Sequence, residues 1–294
     1  MKSSKLKVPD SSGLNEEYRK VQESMKELGK KLHEAMRPVE ESIRRAREAI
    51  APVYAEHMRK ISEAMTPIAE FIRELPDNTK RVLKKLAEKG WFLSLDSTIP
   101  EVAHLAKLIE SNDDAGINRF LVGFYTEQLD EVLNSLIATF PGRAHLFRSA
   151  FKAHNRKEYD LTIPVLLAQA DGVCYDMLGV YLFSQEKKLP KTKEALERKI
   201  GSPPLVSICD AFLEPLRSGS ALMLNNSQSK EKRRSTPGYN VLNRHEILHG
   251  IDKNYGNELN SLRAIAQLDY LRSIQELLRN REEWKEQFPA PRKS

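Results

Sequence analysis

The stretch "LNEEYRKVQESMKELGKKL", residues 14–32, decides the fold, because its apolar side chains recur in alternating steps of four and three residues. Such steps align apolar side chains along one seam of an α-helix, as in coiled coils. A second step of four separates Leu32 from Met36, and the alternation then resumes. The seam is formed by Leu14, Tyr18, Val21, Met25, Leu28, Leu32, Met36, Val39, Ile43, Ala46, Ile50 and Val53. We therefore predict a helical arm over residues 14–75.

Three prolines lie within this arm, Pro38, Pro52 and Pro67, each inside similar text that resembles a weak repeat. Proline inside a helix removes one hydrogen bond and clashes with the preceding turn. We expect either kinks at these positions or short helices that each begin with a proline in the first turn.

Helical periodicity continues along the rest of the chain, and no run of alternating β-branched residues predicts a strand. Further helices are predicted over residues 79–89, 100–111, 117–139, 144–154, 158–184, 205–224, 241–249 (capped by Asn240) and 258–280 (capped by Asn257). The polar, basic stretch 225–239 is predicted to be a long loop. The fold class is all-α, a helical bundle with a long kinked N-terminal arm. Its predicted parts are a disordered tail (1–13), the arm (14–75), a helical connector (76–116), a helical domain (117–281) and a second tail (282–294).

Charge and cysteine content limit the class of protein. The chain has 47 Lys plus Arg against 41 Asp plus Glu, a net charge of +6, which is compatible with a polyanionic partner but does not require one. Two cysteines without a pairing pattern are typical of a reduced, cytoplasmic compartment. The apolar stretch 163–183 carries Gln169, Asp171 and Asp176, so we interpret it as a buried helix and expect no membrane association.

The stretch "NRHEILHG", residues 243–250, allows two chemical interpretations. In the first, His245, Glu246 and His249 spell H-E-x-x-H, in which two histidines on one helix face bind zinc and the glutamate acts as general base. Catalytic zinc needs a third protein ligand. The extended motif would put a glycine at Asp252 and a histidine at Tyr255, and both fail. A zinc metallopeptidase is therefore the second alternative, and we predict no metal or other cofactor.

In the other interpretation, Arg244 and His249 frame R-x4-H, with a polar residue directly after the arginine. Together with an all-helical chain and a long last helix, this motif resembles the HEPN superfamily of helical domains, many of which are RNA-cleaving toxins and antiphage effectors. The resemblance covers roughly residues 117–281 and implies a homodimer whose two motifs face each other across a two-fold axis. It also leaves open a non-catalytic module for binding or dimerisation, because some family members have lost activity.

These residue types suit metal-independent cleavage of RNA by its own 2′-hydroxyl. His249 would act as acid and base near neutral pH. Arg244 would stabilise charge on the phosphate. His245 would be auxiliary and Asn243 would orient the site. Arg244 and His249 lie about 140° apart around a helix, so a single helix does not easily bring them together.

Supporting residues are expected outside the motif. Asp171 could reach the site from a neighbouring helix. Some family members have a tyrosine at the position of Ile251, and Tyr255 could take its place. A basic run before the motif is a candidate for contacts with RNA phosphates, at Lys230, Lys232, Arg233 and Arg234. The leading hypothesis is an endoribonuclease toxin or antiphage effector, with RNA, a second copy of the chain and an antitoxin or regulatory protein as partners.

Overall fold

The computed structural model describes residues 11–187, 189–201, 205–235 and 241–287. The helices are α1 (Ser11–Glu88), α2 (Ile99–Glu110), α3 (Asp114–Glu127), α4 (Leu129–Thr139), α5 (Ala144–Asn155), α6 (Tyr159–Leu178), α7 (Lys191–Ile200), α8 (Ser207–Ala211), α9 (Glu214–Ser218), α10 (Asn226–Ser235), α11 (Arg244–Leu248) and α12 (Glu258–Gln287). Two short strands, β1 (Gln185–Glu186) and β2 (Leu189–Pro190), pair antiparallel. The predicted all-α class is confirmed, and the chain divides into two compact units, residues 1–71 and 72–294.

In the first unit, α1 is one helix that continues through the positions of Pro38, Pro52 and Pro67, so the expectation of separate short helices is wrong. Its surface charges form ion pairs within the helix, such as Arg44 with Glu48. The large apolar side chains of the predicted seam between Met25 and Val53 are exposed. Residues 11–13 belong to α1, whereas the rest of the predicted N-terminal tail, residues 1–10, lies outside the described residues.

Several predicted boundaries in the second unit are wrong for local reasons. The helix predicted over 117–139 is divided into α3 and α4 at Gln128. The helix predicted over 158–184 stops at Leu178 because Gly179 adopts a left-handed conformation with φ of 73°. The helix predicted over 205–224 is α8, α9 and a 3₁₀ turn, and α7 was not predicted at all.

The predicted loop over 225–239 is also wrong, because most of it forms α10. Asn225 and Gln228 exchange hydrogen bonds at its start. The backbone nitrogen of Gln228 donates to Asn225 Oδ1, and the backbone nitrogen of Asn225 donates to Gln228 Oε1. Reciprocal bonds of this kind satisfy the free N–H groups of a first helical turn. Residues 236–240, which include the predicted cap Asn240, lie outside the described residues.

Helix α12 is the centre of the second unit and packs against α3, α4 and α6. Every residue from Asn260 to Ile274 is buried, so the helix is enclosed on all sides and not only along its predicted apolar face. The predicted cap is confirmed, because Asn257 Oδ1 accepts a hydrogen bond from the Asn260 backbone nitrogen at 3.0 Å. The helix extends past the predicted end at residue 280, to Gln287.

Helix α6 is the one helix among the described residues that is long and apolar enough to span a membrane. It packs against α5 and α12, and eight of its side chains are buried in the core of the second unit. These contacts are those of a core helix, as the sequence predicted.

A buried histidine links α5 to α12. His154 is 6% exposed, and its Nδ1 lies 2.8 Å from the Ser261 hydroxyl oxygen. Burial lowers the pKa of His154, and the nearby Glu258 carboxylate offsets part of this effect. The folded chain therefore disfavours the protonated ring.

This burial predicts a pH-dependent stability. An unfolded histidine titrates near pH ~6.5, so the unfolded chain takes up a proton first as the pH falls. His154 should contribute its full stabilisation above that pH and lose it progressively as the pH falls toward the folded-state pKa. Urea denaturation at pH 7.5 and pH 5 should show a smaller loss for His154→Gln than for the wild type. The control His145→Gln, an exposed histidine on the same helix, should behave like the wild type, and an unchanged loss in His154→Gln would contradict the assignment.

Candidate functional site

The motif lies on α11, a single helical turn that local hydrogen bonds hold at both ends. Asn243, not Asn240, is the N-cap: its Oδ1 accepts from the Glu246 backbone nitrogen at 3.0 Å, and its Nδ2 donates to the Leu224 carbonyl at 3.2 Å. At the other end, the backbone N–H groups of Ile251 and Asp252 donate to the Glu246 carbonyl. Gly250 permits this turn with φ of 68°.

The two motif histidines form a pair at the surface. Their ring centroids are 4.4 Å apart, and His249 is exposed while His245 is partly exposed. This arrangement follows from their spacing of four residues. Two adjacent imidazole rings are therefore within reach of solvent.

The third residue of H-E-x-x-H has a different environment, because Glu246 is 3% exposed and lies on the buried side of α11. Among the described residues, no group of three or more histidine, cysteine, aspartate or glutamate side chains is arranged to hold a metal ion. The two histidines therefore lack a third protein ligand in the part of the chain that the structure describes.

Arg244 points toward α6 and the segment that follows it. One of its terminal nitrogens lies 3.5 Å from Asp171 Oδ2, and its guanidinium lies 5.1 Å from the centre of the Phe183 ring. Its buried Nε has no hydrogen-bond partner among the described residues. The Asp171 contact is longer than a normal charged hydrogen bond. Arg244 therefore holds its charge in one long ion pair, with 29% of its side chain exposed.

Asp171 was predicted to support the site from a neighbouring helix, and the structure brings it against Arg244. Its second carboxylate oxygen accepts a hydrogen bond from the Phe183 backbone nitrogen at 3.3 Å. The carboxylate thus contacts both the arginine and the segment that carries the Phe183 ring. Asp176, the other acidic residue of this helix, instead binds Arg143 at 2.6 Å.

Arg244 and the histidines extend from α11 in different directions. Among the described residues, no hydrogen bond, ion pair or ring contact joins Arg244 to His245 or His249. This separation agrees with the offset of about 140° between positions five residues apart. One copy of the motif therefore does not assemble an arginine–histidine pair by itself.

Tyr255 has a structural contact at the start of α6. Pro164 has no N–H group, so the helical hydrogen bond to the Asp160 carbonyl cannot form. The Tyr255 hydroxyl donates to this carbonyl at 3.1 Å. Asp160 and Asp171 are eleven residues apart, roughly 16 Å along the helix. The Tyr255 hydroxyl is therefore bonded far from Asp171, the residue that contacts Arg244.

Three aromatic residues near Asp171 were not predicted: Phe183, which lies against Arg244, and the pair Tyr175 and Tyr181. Tyr175 follows Asp171 by one helical turn, and its ring stacks on Tyr181 with centroids 4.7 Å apart. Both tyrosines are about half exposed, at 48% and 55%. Exposed rings of this kind can stack on unpaired nucleobases. The sequence shows three aromatic residues, at 175, 181 and 183, around a glycine that ends the helix. It does not show that their rings come close together, because this depends on the turn at Gly179.

The predicted RNA-contacting residues lie on α10, outside the motif turn. Lys230 and Lys232 are exposed, and because residues two apart point to different sides of a helix they do not form one patch. The side chains of Arg233 and Arg234 lie outside the described residues.

No protein-family model, curated protein or solved structure matches this chain. Membership of the HEPN superfamily therefore stays a prediction from the motif.

The cap of α11 makes a testable contribution to stability. Asn243 is 3% exposed, and Asn243→Ala removes both the acceptor for the Glu246 N–H and the donor to the Leu224 carbonyl. We expect a loss of about 1–2 kcal/mol in the free energy of unfolding, measured by urea denaturation. Asn254→Ala, at an exposed position on the following loop, should change it by less than about 0.5 kcal/mol. Equal effects of the two variants would show that the cap is dispensable.

Proposed function

We propose that the chain is a metal-independent endoribonuclease that cleaves RNA by attack of the 2′-hydroxyl on the adjacent phosphate. The observation that carries the proposal is the combination on one helical turn of a solvent-accessible histidine pair with an arginine whose charge is only loosely held. His245 and His249 supply titratable groups at the surface, and Arg244 has donors beyond its 3.5 Å contact with Asp171.

The proposed reaction needs two proton transfers and one cation. A histidine takes the proton of the 2′-hydroxyl as its oxygen bonds to phosphorus, and an imidazolium gives a proton to the departing 5′-oxygen. Arg244 stabilises the extra negative charge on the phosphorane. Products would be a 2′,3′-cyclic phosphate and a 5′-hydroxyl. Asp171 would position Arg244, and Tyr175 with Tyr181 offers rings on which a neighbouring base could stack.

A second copy of the chain would solve the separation of Arg244 from His249. In a two-fold dimer, an arginine from one copy can approach a histidine from the other, because symmetry repeats the same surface on both. The HEPN resemblance implies such an arrangement. On this basis we propose a homodimer whose composite sites each use Arg244 of one copy and His249 of its partner.

The biological setting follows from the resemblance alone. We propose a cytoplasmic toxin or antiphage effector, with cellular or invading RNA as substrate and an antitoxin or regulatory protein as partner. The scarcity of cysteine supports a reduced compartment.

A non-catalytic module is the alternative, and one contact favours it. Arg244 is paired with Asp171 and lies over the Phe183 ring, which is a sufficient structural role for an arginine between helices. The zinc metallopeptidase remains a second alternative, supported by the two histidines but by no third donor among the described residues.

Loss of cleavage in motif variants tests the proposal. Purified protein should cleave total RNA in the presence of EDTA and leave cyclic phosphate ends. His249→Ala should lower the rate about 10²–10⁴-fold by removing acid–base catalysis. Arg244→Ala should lower it about 10²–10³-fold by removing charge stabilisation. The controls His145→Ala and Lys253→Ala, which remove an exposed histidine and an exposed cation, should retain activity.

Glu246→Gln separates the ribonuclease from the peptidase in the same experiment. A zinc peptidase uses this glutamate as general base, so the change would abolish its activity. A ribonuclease should stay within a few-fold of wild type, because Glu246 faces away from the exposed histidine pair. Loss of RNA cleavage in Glu246→Gln, together with one bound zinc per chain, would overturn the proposal. A wild-type protein that leaves RNA intact would favour the non-catalytic module.

Mixing two inactive variants tests the composite site. A mixed dimer of Arg244→Ala and His249→Ala contains one site with both residues intact, because each comes from a different copy. Unfolding and refolding the two together should therefore restore activity to about a quarter of wild type if copies pair at random. Sites built within single chains would give no recovery.

A further inference from the structure

The arm, residues 22–71 of α1, exposes a continuous line of large apolar side chains. Each of the following side chains is between 46% and 68% exposed, and together they form what we call the arm seam: Met25, Leu28, Leu32, Met36, Val39, Ile43, Ile50, Val53, Met58, Ile61 and Met65. Met25 and Met65 are forty residues apart, so the arm seam extends over about 60 Å of helix.

This much exposed apolar surface is unusual for a protein surface that stays in water. Burial of an aliphatic side chain removes about 100 Å² from water, so eleven that are roughly half exposed leave about 600 Å² per chain. Isolated proteins rarely expose larger apolar patches than this, and such patches mark interaction sites. Two copies would bury about 1,200 Å², the size of a small specific interface.

Charge indicates which partner fits. Residues 22–71 hold nine lysines and arginines and nine glutamates, so the arm carries no net charge. A helix that binds RNA or an anionic membrane needs an excess of positive charge on its polar face. Several arm charges are already paired within the helix, as in Arg37–Glu41, Arg44–Glu48 and Arg59–Glu63. A second neutral arm meets no electrostatic repulsion.

The shape of the arm fits another helix. Residues that border the arm seam on one side are small and uncharged, at Ala35, Ser42 and Ala49, which allows a second helix to approach closely. Pro38 and Pro52 each come directly before a seam residue, at the same position of the heptad and on its outer side. Their interruption of the helical hydrogen bonds therefore lies away from the apolar surface.

We propose that the arm seam pairs with the arm seam of a second copy of this chain and forms a coiled coil. From Met25 to Val53, with Ala46 included, the apolar residues recur in steps of four and three, which is the spacing that buries side chains between two helices. A step of five then separates Val53 from Met58, and steps of three and four follow to Met65. This inference rests on the first unit alone and is independent of RNA cleavage. The arm is then a self-association surface, separate from any contact between motifs.

A pair of matched variants of the full chain tests the arm seam. Ile43→Gln/Ile50→Gln replaces two seam residues. Arg44→Gln/Glu48→Gln removes an ion pair from the neighbouring outer positions without altering net charge. Glutamine favours helix at least as well as isoleucine, so α1 should persist, and circular dichroism checks that it does.

Light scattering at micromolar concentrations gives the mass of each protein. The wild type and the outer-face variant should have a mass of about 67 kDa, twice the 33.6 kDa chain. The seam variant should dissociate on dilution, with a dissociation constant raised on the order of 100-fold. A single-chain mass for the wild type, or equal dissociation of the two variants, would overturn the proposal. RNA cleavage by a single-chain seam variant would leave the proposed cleavage chemistry intact but would overturn the composite site made by two copies.

Discussion

The structure of the second unit depends on one constraint, which is that the rest of the unit encloses α12. Because every residue from Asn260 to Ile274 is buried, each polar group there needs a partner, and an unpaired one costs about 1–3 kcal/mol. Arg272 contacts three carboxylates, those of Asp96, Asp269 and Glu276. The Tyr270 hydroxyl donates to the Phe212 carbonyl. Asp269 and Glu276 belong to α12 itself, whereas Asp96 and Phe212 lie on other segments, so the bonds to these two fix their segments relative to the helix.

The same enclosure explains what the sequence could and could not predict about the fold. A repeat of leucine and isoleucine every three to four residues predicts a helix with one buried face, and α12 was found from it. This periodicity predicts that the polar residues of such a helix are exposed. Gln267 and Arg272 are nevertheless buried. Arg272 is paired with Asp96 of another segment, and no local pattern carries that information. Short helices such as α8 and α9 were merged for a similar reason, since single turns are held by their surroundings.

The candidate site was predictable in its parts but not in its assembly. The spacing of His245 and His249 fixes their proximity on any helix. Asp171 was a candidate because a carboxylate in an apolar helix requires a partner. The sequence could not show that Phe183 lies under Arg244, since this depends on the turn after α6 and on the short hairpin that follows it. The aromatic surface beside the motif is therefore a tertiary feature.

The bond between Tyr255 and the Asp160 carbonyl has a thermodynamic consequence. The carbonyl is available because Pro164 cannot donate to it, so the stabilisation that the Tyr255 hydroxyl provides depends on a residue of α6. In a chain with alanine at position 164, the backbone N–H of that residue would donate to the Asp160 carbonyl. The Tyr255 hydroxyl would then no longer be needed to satisfy this carbonyl. The two positions should therefore show a coupling energy in a double-mutant cycle. Sequence drift at one of them should change which residues the other tolerates.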